Sequence, residues 1–210
     1  MLRVVDTRPP WFRREGVPAA GEVSGAAPGN NAPPPFPCRA IGALLSGAVA
    51  TNPPGDVRLT PLDGEARPLA EWLTTFHLAA VILDPYTYES AWLLETAGRI
   101  LGDFKGADCR VAFVVTASAD EAREFLGPWA SQVLTFADPD RELVKGLGLN
   151  ELPAFVHLRQ DGAVANVAEG WDPAEWRTVA VGLAKDMSWT RPLIPGPGDP
   201  KPYAGSPAAG

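Results

Sequence analysis

At 210 residues, 46% hydrophobic and 20% charged, the chain has room for one well-filled core plus appendages. A net charge of −7 and the lack of a Lys/Arg stripe interleaved with aromatics argue against a nucleic-acid partner. The two cysteines, Cys38 and Cys109, do not imply a disulfide framework. Residues 1–11 hold no apolar core of signal-peptide length, and no run approaches the ~20 apolar residues of a membrane span. A cytoplasmic protein with no membrane partner is expected.

In chain order, residues 1–55 read as a proline/glycine-rich arm, with Pro28, Pro33, Pro34, Pro35 and Pro37 favouring extended geometry. Within it the apolar stretch 40–50 reads as a short packed or surface helix. The domain proper is expected over 56–187. Val57, Leu59 and Leu62 around Asp63-Gly64 predict a small hairpin. The continuous apolar run 78–83 predicts a central strand covered on both faces. After the turn 84–90, Leu93, Ala97, Ile100, Leu101 and Phe104 recur at helical spacing. Residues 110–116 predict a second buried strand, 119–126 a short helix and 133–136 a third strand. Asp138-Pro139-Asp140 supplies an N-cap, a first-position proline and first-turn acid for a helix through Leu147. Leu152-Pro153 precedes a strand over 154–158, which Asp161-Gly162 turns into a partner over 163–168. Asp172-Pro173-Ala174-Glu175 repeats the capping chemistry for a closing helix, with Trp176, Val179, Ala180, Leu183 and Met187 on its buried face. Residues 188–210, with Pro192, Pro195, Pro197, Pro200, Pro202 and Pro207, read as a second extended tail without regular structure.

That order, with a proline before the penultimate strand and a Gly-turned final hairpin, resembles the thioredoxin-like superfamily over about 57–186. The hairpin followed by Pro68-Leu69-Ala70-Glu71-Trp72-Leu73 is similar to the opening segment of its alkyl hydroperoxide reductase and thiol-specific antioxidant branch. Phe136-Ala137-Asp138-Pro139-Asp140 with Gly146-Leu147-Gly148 resembles that branch's stretch before its proline. The resemblance implies an α/β three-layer sandwich with a mixed central sheet and an N-terminal hairpin. It also implies a cis Leu152–Pro153 bond facing the active-site turn. The family's Cys-x-x-Cys falls at Tyr88-Glu89-Ser90-Ala91 or at Thr87-Tyr88-Glu89-Ser90, and neither register holds a cysteine. The peroxidatic cysteine of a Thr-x-x-Cys pattern is missing at Ser90 too. Dithiol exchange needs one thiolate to attack and a second thiol to resolve, and a serine hydroxyl is far too weakly acidic to substitute.

The other chemistries are weaker still. Glu89 beside Ser90 invites a hydrolase triad, but no G-x-S-x-G elbow is present and no acid is placed to orient either imidazole. His77 and His157 have no Cys or carboxylate at ligand spacing, so structural histidines are expected rather than a metal site. Neither a catalytic residue nor a cofactor is expected. Tyr86, Tyr88 and Trp92 cluster on the turn, either as a recognition surface or packed over the sheet and helix. The resulting expectation is a redox-inactive thioredoxin-like module that binds a protein or peptide partner through Tyr86, Thr87, Tyr88, Glu89, Ser90 and Trp92 with the Leu152-Pro153 loop. Two alternatives stand beside it: a thiol-dependent antioxidant or oxidoreductase of the same fold using Cys38 or Cys109, and a structural subunit whose arms wrap a partner.

Overall fold

Hairpin chemistry at Asp63-Gly64 builds the first pair of strands, β1 (Arg58–Pro61) and β2 (Arg67–Pro68), antiparallel with Arg58 opposite Pro68. Gly64 sits in the turn at φ 142°, a backbone conformation that a side chain would strain. The computed structural model describes residues 50–209, so Cys38 and all but the last residue of the helix expected over 40–50 lie outside the described residues.

Helix α1 (Leu69–Leu73) leads to the central strand β3 (His77–Leu83), which is followed by α2 (Tyr88–Asp103) and β4 (Cys109–Val115). Then come α3 (Ala119–Leu126), a 3₁₀ turn (Gly127–Ser131), β5 (Leu134–Ala137) and α4 (Glu142–Leu147). The two-residue β6 (Glu151–Leu152) precedes the hairpin of β7 (Ala154–Leu158) and β8 (Val164–Glu169). Helix α5 (Pro173–Asp186) and a last short strand, β9 (Ser206–Pro207), end the described chain. The main sheet has the order β2-β1-β5-β4-β3-β7-β8. Its strands β3, β4 and β5 run parallel, while β1, β7 and β8 run antiparallel to their neighbours, so the sheet is mixed. Among the described residues no helix is long and apolar enough to cross a membrane.

Strand alternation sorts the core into two faces. Ala79, Val81, Leu83, Phe113, Val115 and Phe155 meet α2 and α5 through Leu93, Ile100, Trp176 and Leu183. Leu78, Ala80, Ile82, Val114 and Val156 meet α1 and α4 through Leu69, Leu143 and Leu147. A strand buried on both faces accounts for the unbroken apolar run in β3.

Two expectations need correction. Asp138 does not open a helix at Pro139: α4 starts at Glu142, after a turn in which Arg141 takes φ 55°. Asp138 still caps it, its carboxylate accepting from the Glu142 and Leu143 amides at 2.7 and 3.1 Å. The second concerns residues 188–209, expected to hang free. They strap across the domain instead, burying Ile194 and Ala208 and pairing β9 antiparallel to β6. Backbone groups hold the strap where no apolar pattern announces it: Trp171 and Tyr203 exchange both amide bonds, at 3.0 and 3.1 Å. Gly205 lies so close that a Cβ there would meet the Leu152 carbonyl at 2.7 Å.

Candidate functional site

The turn expected to carry the site leaves β3 at Asp84, a buried carboxylate that organises it. Asp84 Oδ1 accepts from the Tyr86 amide at 3.0 Å, and its carbonyl accepts from the Thr87 hydroxyl at 3.0 Å. Ser90 Oγ accepts from the Asp84 amide at 2.9 Å and is in hydrogen-bond contact with the Thr87 hydroxyl at 3.1 Å. Ser90 is fully buried. Its oxygen is therefore committed to closing the turn, which removes it as a nucleophile and answers the triad reading. Thr87 is the first residue before α2, but its hydroxyl turns back to the loop and does not cap the helix amides.

Arg141 crosses to this turn from the far side of the sheet. Its Nη2 donates to Asp84 Oδ2 at 2.8 Å, and its Nη1 donates to the Ala208 carbonyl at 2.7 Å. Both partners of the ion pair are largely enclosed, with side-chain exposures of 14% and 6%. One guanidinium fork thus ties the turn, the approach to α4 and the end of the strap together. Sequence reasoning missed Arg141, Asp84 and Tyr203. The proline after Asp84 marks a turn, but nothing in chain order signals that Arg141, 57 residues on, reaches it.

The three turn aromatics are exposed: Tyr86 at 66%, Tyr88 at 78% and Trp92 at 59%. Trp92 does not pack under the helix. It stacks on Tyr88 with ring centres 6.2 Å apart, and it meets the edge of Tyr203 from the strap at 5.7 Å. Tyr203 is held in place by donating its hydroxyl to the Glu89 carbonyl at 2.7 Å, and burial pushes its phenol well above the usual range. The Tyr86 hydroxyl donates to Glu121 at 2.7 Å, a bond that raises the phenol and helps to lower the carboxylate, though the Ser118 hydroxyl contributes more to the latter.

The Leu152–Pro153 bond is cis. In the β3–β7 register it falls one step beyond Ala154 opposite Ile82, at the end of the strand that feeds the turn. Both residues are buried. Leu152 pairs with Ser206, so the strap occupies the edge that was expected to be open. The structure therefore exposes the aromatic half of the expected surface and closes the Leu152-Pro153 half.

Cys109, the free cysteine among the described residues, starts β4 beside His77. It lies at the opposite end of the parallel strands from the turn, six residues before Val115, which pairs with Leu83. Burial, then the nearby Asp108 charge, pushes its thiol up to about 11. The two histidines, 80 residues apart in sequence, meet at the same far end, with His77 Nδ1 and His157 Nε2 2.9 Å apart. Burial and the neighbouring imidazole lower His157 to about 4.

Solved structures with this arrangement are numerous. A candidate thioredoxin from Neisseria meningitidis superposes with a TM-score of 0.53 at 13% identity, covering 66% of this chain and 94% of that one. Peroxiredoxin Q of Xanthomonas campestris gives 0.51 at 14% identity, covering 62% and 91%. The pneumococcal exposed lipoprotein thioredoxin of Streptococcus pneumoniae gives 0.50 at 16%, covering 63% and 99%. At these identities the likeness shows the fold alone, a thioredoxin-like α/β fold with a mixed central sheet and flanking helices. No family model and no curated protein matches the chain.

Proposed function

We propose that this chain is a redox-inactive binding module on a thioredoxin-like fold, recognising a protein or peptide partner through Tyr88, Trp92 and the adjoining Tyr86 and Tyr203. The observation that carries the reading is the stacked Tyr88–Trp92 pair, 78% and 59% exposed on a turn without a thiol. Large amphipathic rings held rigidly in water are the residue type enriched at binding hot spots, and rigidity limits the ordering cost of association. Here the rigidity comes from Asp84, Ser90 and Arg141 beneath the turn.

The Leu152-Pro153 loop is not part of the proposed surface in this state, because β9 covers it. The oxidoreductase alternative through Cys109 has little support: its thiol is held protonated at neutral pH and is far from the turn, and catalysis needs the thiolate. As for arms that wrap a partner, the C-terminal strap wraps its own domain.

The test joins two measurements on the full chain. Insulin reduction and peroxide consumption should not exceed a thiol-free control. Affinity capture from the source cell should recover a partner that Tyr88→Ala and Trp92→Ala each lose while leaving the fold unchanged. Thiol-dependent turnover abolished by Cys38→Ser or Cys109→Ser would sink the reading.

A further inference from the structure

His77 and His157 are the only histidines of the chain, and the sheet brings them side by side. His157 is paired with Ala79, two residues from His77, so both imidazoles stand on the same face of adjacent antiparallel strands. That face is the one covered by α5, whose last residue is Asp186. One ligand atom from each of His77, His157 and Asp186 lies within 4.8 Å of the other two. From these placements we propose that the three residues form a binding site for a single divalent first-row transition-metal ion, pinning the end of α5 to β3 and β7.

The geometry suits such an ion. With imidazole nitrogens about 2.0–2.1 Å from a metal, the 2.9 Å between the two nitrogens subtends roughly 90°, the angle between adjacent octahedral positions. A tetrahedral ion asks for roughly 3.4 Å, a shift of about half an ångström. Asp186 is exposed, so its carboxylate is free to close the remaining gap by rotation. Two imidazoles with one carboxylate select ions such as Zn²⁺ or Co²⁺ over Mg²⁺ and Ca²⁺, which prefer all-oxygen shells.

Two features of the arrangement point the same way. A carboxylate at the C-terminal end of α5 faces the negative pole of the helix dipole, where a cation is favoured. His77 Nδ1 and His157 Nε2 face each other at 2.9 Å, and a cation can take the place of the hydrogen bond between them. The structure also sets a ceiling on affinity. With Nε2 on the ion, His157 carries its proton on Nδ1, which is buried with no hydrogen-bond partner. Outer-shell partners of this kind are worth about 10- to 100-fold in metal affinity, so the site is of modest strength.

The test uses the full-length chain without a histidine tag, stripped with chelator. Co²⁺ is titrated with visible absorption as the readout, and Zn²⁺ by calorimetry and thermal shift. The expected result is one ion per chain, a visible Co²⁺ band and a Tm raised by Zn²⁺. His77→Ala, at a half-exposed position, should weaken binding at least roughly tenfold and Asp186→Asn by roughly tenfold. Cys109→Ser and Cys38→Ser should leave the titration unchanged, although Cys109 is the register partner of His77. No saturable binding at 1:1 up to about 1 mM, where a site is worth only about 4 kcal/mol, would overturn the proposal. So would a titration indifferent to His77→Ala, or one abolished by a cysteine replacement.

Discussion

Arg141 is the residue on which the turn most depends. Its guanidinium answers a buried carboxylate, Asp84, and a strap carbonyl, at 2.8 and 2.7 Å. Removing one member of an enclosed ion pair leaves the other charge buried and alone, which costs about 3 kcal/mol or more. Arg141→Ala should lower the denaturation midpoint accordingly, and with it weaken any binding at the turn. An unchanged midpoint would mean that water already screens Asp84. Cys109 gives a second prediction at this scale, worked out in sign. Its thiol is raised to about 11, so less thiolate is present at pH 8 than in the unfolded chain, and reactivity climbs only as pH rises toward 11. In a Cys38→Ser background, alkylation of the folded protein at pH 8 should be roughly two-hundredfold slower than in denaturant, given a free thiol near 8.5. Equal rates would refute the burial argument. Residue-scale features were also the least legible in the sequence. Asp84, Arg141 and Tyr203 make their bonds across the fold, and the His77–His157 pair is created by strand register, so no local spacing reveals any of them.

Elements were far more legible, because periodicity and capping are local. The helix expected over 119–126 is α3 as observed, begun by a capping box in which Ser118 and Glu121 exchange side-chain and backbone bonds. The strand expected over 154–158 coincides with β7. Where a boundary slipped, chain geometry outweighed residue preference: Pro139 is an acceptable first helical residue, yet the left-handed Arg141 interrupts the turn and postpones α4 to Glu142. Asp172 is the cleaner cap. Its Oδ1 accepts from the Ala174 amide at 2.7 Å and from that of Glu175 at 3.4 Å, with Pro173 at the first helical position. Asp172→Ala should cost about 0.5–2 kcal/mol in chemical denaturation, and Asp172→Ser less. Equal losses for both would indicate that the carboxylate acts by charge rather than as a cap.

At the scale of the molecule, the two-sided core follows from patterning and the mixed sheet from the family resemblance, but the strand order and the closure by residues 188–209 do not. Proline density and the absence of any period correctly exclude a helix or a long strand there. They say nothing about docking through carbonyls and isolated anchors, which is how this strap attaches. Pro200 accepts from the Trp171 indole at 2.9 Å, Asp199 holds Arg99 by two bonds at 2.9 and 2.8 Å, and Ile194 is 3% exposed. Cutting the chain after Ser188 would strip the indole N–H of fully buried Trp171 of its partner and uncover Leu152 along β6. Burying one Ile side chain contributes about 1.5–3 kcal/mol, and the hydrogen bond of the Trp171 indole contributes a net of about 0.5–1.5 kcal/mol. The truncated protein should therefore lose at least about 2 kcal/mol, with tryptophan emission shifted to the red and the Leu152-Pro153 edge open to strand pairing. Denaturation followed in parallel by fluorescence and circular dichroism measures this directly. A truncated chain that matches the full chain in midpoint and emission would show that the strap rests on the domain without supporting it.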